Sequence, residues 1–95
     1  MQETPVSDKP DRNAEDIRIG ATIKALRDKS GLTPAELGRA IGKSDKLIQA
    51  IERGDRKATP QVCRRVADQL GVALAAIVMP NYEEIRDQAA LEKAS

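Results

Sequence analysis

Apolar positions recur at helical spacing through the middle of the chain. Ile19, Ile23 and Leu26 fall at i, i+4 and i+7 and predict a first helix from about Ala14 to Lys29. Asn13 is placed to cap it, with Glu15 and Asp16 in the first turn, where acids favour the helix dipole. Ser30-Gly31 ends it. Thr33-Pro34 is a start signal, because Thr caps and Pro suits the first helical position. A second helix is therefore expected from about Pro34 to Ile41, burying Leu37 and Ile41, with Gly42 as a left-handed stop. Ser44 caps a third, about Asp45 to Arg53, which buries Ile48 and Ile51 and ends at Gly54. Thr59-Pro60 repeats the cap-and-proline device and opens a fourth, about Pro60 to Leu70, with Cys63, Val66, Ala67 and Leu70 inward and Gly71 as its stop. A short fifth spans about Leu74 to Met79, where Pro80 breaks the chain.

The flanks read differently. Residues 1–13 are polar, carry two prolines, and are expected to form a disordered arm before a helical domain over residues 14–80. In the last segment, 81–95, Asn81 is placed to cap a final helix from about Tyr82 to Lys93. Its apolar face is thin (Tyr82, Ile85, Ala89 and Leu91), suited to weak docking on the domain or to meeting a second subunit.

Composition narrows the class. Hydrophobic residues make up 40% of the 95, yet Tyr82 is the one aromatic, so the core must be aliphatic, which favours helices over sheets. The expected fold is all-α. The single cysteine excludes an intramolecular disulfide. With no histidine, the commonest general base and commonest metal ligand are missing. Cys63 lies in a helical apolar pattern and reads as a small buried hydrophobe. No phosphate-binding glycine loop or metal-ligand cluster is present, so no catalytic residue, metal or cofactor is expected. No apolar run reaches the roughly 18 residues of a membrane span, and the polar, acidic first residues do not resemble a secretory signal. The expected location is the cytoplasm.

The net charge of +1 conceals a pattern. Residues 1–16 carry five acids against two bases, a net of −3; residues 17–80 carry twelve bases against six acids, a net of +6; residues 81–95 carry two bases against four acids, a net of −2. A basic centre between acidic ends suits a polyanion, though a charged, solvated surface would look the same. The second and third predicted helices, joined by a tight turn at Gly42, have the proportions of a helix-turn-helix with Leu37, Ile41, Ile48 and Ile51 as shared core. Gly38 stands where these helices would cross. In the DNA-binding version of this motif the first helix lies across the backbone, and the second puts its N-terminal residues into the major groove.

From Ile19 to Val78 the chain resembles the Cro/repressor-like (XRE, lambda-repressor-like) helix-turn-helix family. The matching pieces are IGATIKALRDKSGLT, ELGRAIGKS, IQAIERG and VADQLGV, in the family's order. The resemblance implies a compact five-helix domain, here with an added C-terminal helix. It implies a prokaryotic or phage transcription regulator that binds double-stranded operator DNA as a homodimer. Asp45, Lys46 and Ala50 match the family's base-reading positions, and Gln49 lies beside them. Lys46 suits guanine O6/N7, Gln49 adenine, and Ala50 a thymine methyl. Asp45 can accept from cytosine N4, or it can simply favour the helix dipole. Thr33 with the second helix's N-terminus, Lys43, Arg53, Arg56 and Lys57 are expected phosphate contacts, as is Ser44 unless it is only a cap. The family pattern pairs Arg27 with Glu52 as an internal salt bridge.

Some positions depart from that pattern. Pro34 stands where the family often has a phosphate-binding glutamine, Lys43 replaces an apolar turn residue, and Ala58 replaces a frequent proline. Leu47, expected to be partly exposed, and the acid Asp45 leave room for a second reading. In it the third-helix face docks a protein, as in an antitoxin or an adaptor.

Overall fold

The computed structural model describes residues 13–79 as five helices: α1 (Ala14–Lys29), α2 (Pro34–Ile41), α3 (Asp45–Arg53), α4 (Pro60–Leu70) and α5 (Leu74–Val78). The N-terminal arm and the C-terminal helix expected over 81–95 lie outside the described residues, except for Asn13. No strand occurs among the described residues.

Local chemistry explains where the helices start and stop. Asn13, Thr33, Ser44 and Thr59 each sit in extended backbone, and each side-chain oxygen accepts the N–H of the third helical residue. The α2–α3 turn depends on Gly42, whose φ of 77° lies in the left-handed region where a side chain would be strained. α5 stops at Val78 rather than Met79. Met79 is extended (φ −92°, ψ 127°), as expected of a residue followed by a proline, whose ring disfavours helical backbone before it.

One aliphatic core joins all five helices. Ile19, Ile23, Leu37, Ile41, Ile48, Ile51, Val66 and Ile77 are buried in it. Val62 and Ala58, not expected inward, are buried too, while Leu26 and Leu70 are only partly covered. Cys63 is buried; its Sγ lies 3.7 Å from the Ala58 carbonyl oxygen, and burial pushes its thiol pKa up.

Two glycines set how closely elements approach. A Cβ on Gly20 would strike the carbonyl oxygen of Ile51 and come within 3.2 Å of the Glu52 carbonyl carbon, so α1 crosses α3 at backbone contact. A Cβ on Gly38 would lie 2.6 Å from the Lys43 carbonyl oxygen. The close approach at Gly38 is therefore between α2 and the turn entering α3, not between the two helix axes. Lys43 N–H donates to Gly38 O at 2.7 Å across this contact.

Candidate nucleic-acid interface

α3 carries two faces at once. Its inner side buries Ile48 and Ile51, and Leu47 is half-buried against the same core. Leu47 is thus anchored inward and is a poor free apolar handle. The outer side begins with Asp45 and Lys46, and Gln49 follows at i+4 and i+3; all three are exposed. Ala50 is half-buried beside them. The structure therefore groups Asp45, Lys46 and Gln49 on one solvent-facing surface, with Ala50 at its edge. Ser44 is engaged as the cap, its Oγ accepting Leu47 N–H at 3.1 Å.

α3 is held in place by a buried ion pair. Arg27 Nε and Nη2 donate to the two Glu52 carboxylate oxygens, and Nη1 donates to Leu32 O at 2.6 Å. Both side chains are almost fully covered, at 7% and 6% exposure. The hydrogen bonds that Arg27 donates to Glu52 raise its pKa above its ordinary range, outweighing the burial that would lower it; Glu52 and Asp28 charges add in the same direction. One guanidinium thereby ties α1 to α3 and to the loop leading into α2.

The phosphate candidates fare unequally. At the start of α2 a reciprocal capping box closes the donors: Glu36 N–H donates to Thr33 Oγ1, and Thr33 N–H donates to the Glu36 carboxylate at 2.8 Å. Leu37 N–H donates to Thr33 O, and Pro34 has no N–H, which leaves Ala35 as the open donor of that turn. Thr33 and its neighbours therefore offer an anion less than a bare helix start would. Arg53 Nε donates to Asp55 at 2.9 Å. Lys43 is half-buried in the α2–α3 turn, and Arg56 and Lys57 are exposed on the α3–α4 connection. Two further bases have internal roles that sequence reasoning missed. Arg65 Nη1 donates to Ile41 O at 3.2 Å, closing the end of α2, and Arg18 Nη2 donates to Val78 O at 2.9 Å, closing α5. Only tertiary contact could reveal either bond, since the partners lie 24 and 60 residues apart.

A helix-turn-helix family model, HTH_3, matches residues 23–77. The chain belongs to this family. Helix-turn-helix proteins of this kind are DNA-binding proteins rather than enzymes. A protein of Pyrococcus abyssi named as an HTH-type transcriptional regulatory protein is 33% identical over 73 residues, covering 73% of this chain. The chain spans only 23% of that relative's length. Among solved structures, the clp gene regulator ClgR of Corynebacterium glutamicum aligns with a TM-score of 0.68 at 24% identity, covering 88% of this chain and 89% of that one. PlcR of Bacillus thuringiensis, crystallised with the peptide PapR7 and DNA, aligns with a TM-score of 0.63 at 21% identity over 76% of this chain and 26% of its own. At these identities the structural likeness establishes the five-helix fold. Among the described residues no helix is long and apolar enough to cross a membrane, and no three His, Cys, Asp or Glu side chains gather as a metal site.

Proposed function

We propose that this helix-turn-helix protein is a DNA-binding transcriptional regulator that acts as a repressor. α3 enters the major groove, and a homodimer covers a two-fold operator whose half-sites lie about one helical turn, roughly 34 Å, apart. The observation that carries this reading is the outer face of α3. Asp45, Lys46 and Gln49 present an acceptor, a cation and an amide to solvent from a helix fixed at its other end by Arg27, Glu52 and the Gly20 contact. Polar groups on a rigid element, projecting at the helix N-terminus, are what base-edge recognition needs. Lys46 donates to guanine, Gln49 pairs with adenine, Ala50 meets a thymine methyl, and Asp45 accepts from cytosine. Lys43, Arg56 and Lys57 hold the backbone and fix the register. Arg53 and Thr33 are weaker phosphate contacts, being engaged by Asp55 and Glu36.

Enrichment of duplexes from a randomised library tests the reading, with Lys46→Ala run alongside. A two-fold site whose preference relaxes at one position in the variant supports it. Absence of binding even at low salt would overturn it and favour a protein partner on the same face. The half-burial of Leu47 against the core disfavours that second reading, because it leaves such a partner less apolar surface to use.

A further inference from the structure

Where α1, α2 and α3 meet, an open cleft is lined by Lys24, Arg27, Pro34, Gln49, Glu52 and Arg53. Its charge is uneven: three cations face a single carboxylate, Glu52, which is already consumed by Arg27. Arg53 is engaged by Asp55. Lys24 differs from both. It is exposed, sits one helical turn before Arg27, and has no ion-pair partner among the described residues. The neighbouring start of α2 keeps only the Ala35 N–H open, the others being closed by the capping box or absent at Pro34, so side chains must supply most of the attraction for an anion here. Gln49 belongs both to the cleft and to the exposed outer face of α3. Gln49 thus joins the α3 face proposed to meet bases to the cleft that Lys24 borders.

We propose that this cleft seats one phosphate of the DNA backbone and that Lys24 neutralises it. The inference rests on the DNA-binding reading and adds to it a contact on α1. A Lys24–phosphate contact positions the protein and carries no base preference.

The test measures duplex affinity against salt for the full chain, from about 50 to 300 mM, because each neutralised phosphate contributes about 0.9 to the slope of log K on log salt. Wild type, Lys24→Gln and Lys29→Gln are compared. Lys29 is exposed on the same helix but does not line the cleft, so its variant controls for net charge alone. Lys24→Gln is expected to melt as the wild type does, to lose about 0.9 from the slope, and to weaken uniformly across sequences, while Lys29→Gln keeps the wild-type slope. A wild-type protein that binds with a steep slope, together with an unchanged Lys24→Gln slope or an equal loss in Lys29→Gln, overturns the Lys24 assignment alone. A wild-type protein that does not bind duplex DNA overturns both readings.

Discussion

Arg27 grips Glu52 through two hydrogen bonds, Nε to Oε2 at 2.6 Å and Nη2 to Oε1 at 2.9 Å, across 25 residues of sequence. The planar guanidinium matches the carboxylate in a fork geometry that a lysine could not reproduce. Its remaining donor, Nη1, reaches Leu32 O, so the buried charge is surrounded by acceptors. The orientation of α3 thus depends on a charged pair inside an otherwise aliphatic domain.

Removing one partner strands the other charge. Arg27→Ala is expected to cost about 3–5 kcal/mol, a large share of a small domain's stability, and to lower the melting temperature sharply. Replacing both partners with apolar residues of similar volume should cost less than the sum of the single changes. The sign of the pH dependence follows from the raised Arg27 pKa. Its contribution is complete below the ordinary arginine pKa and is lost only as pH rises through the still higher folded value. Thermal melts from neutral to moderately alkaline pH should therefore show no loss from this group.

Gly20→Ala puts a methyl group into the Ile51 carbonyl oxygen. Neither backbone can yield without separating α1 from α3, so a loss of about 1–3 kcal/mol is expected in a denaturant titration. An unchanged midpoint would show that the two helices do not cross this closely.

Asp45 is an acid on the surface proposed to face DNA. Asp45→Asn removes repulsion from phosphate while weakening discrimination for cytosine. Random duplex is expected to bind more tightly, and the ratio of specific to non-specific affinity to fall, both readable in one competition assay.

Cys63 should behave as a buried thiol. Its raised pKa keeps it protonated in the folded state, so any stability linked to it is complete below the ordinary thiol value of about 8.5 and falls as pH rises toward the folded value. A thiol reagent at about pH 8 should label it slowly in the native protein and rapidly in denaturant. Equal rates would mean that the α4 face carrying it is open to solvent.

Thr33→Ala removes one half of the capping box, the Oγ1 that accepts Glu36 N–H, and keeps the other, the residue 33 N–H that donates to the Glu36 carboxylate. About 1 kcal/mol of stability should be lost, measured by chemical denaturation.

The sequence by itself determined the helices, their order and most of their ends. Capping is local chemistry: Asn13, Thr33, Ser44 and Thr59 act on residues three positions away, and the glycine stops act on their own turns. The same locality made the Thr33 to Glu36 capping box legible in principle, from a Thr followed by a Glu at the third helical position. The α3 surface was legible as well, since helical periodicity alone separates Lys46 and Gln49 from Ile48 and Ile51. The Arg27–Glu52 pair was implied by the family resemblance; only tertiary structure decided what the other basic residues do. Sequence assigns Arg18, Arg53, Arg65 and Lys24 the same charge. Folding places Arg18 and Arg65 against distant helix ends, sets Arg53 against Asp55, and leaves Lys24 beside an open cleft without a partner among the described residues. The physical reason is range. Caps and periodicity are set within one or two turns, whereas the partner of a long flexible cation depends on which segments, tens of residues apart, the core has brought together.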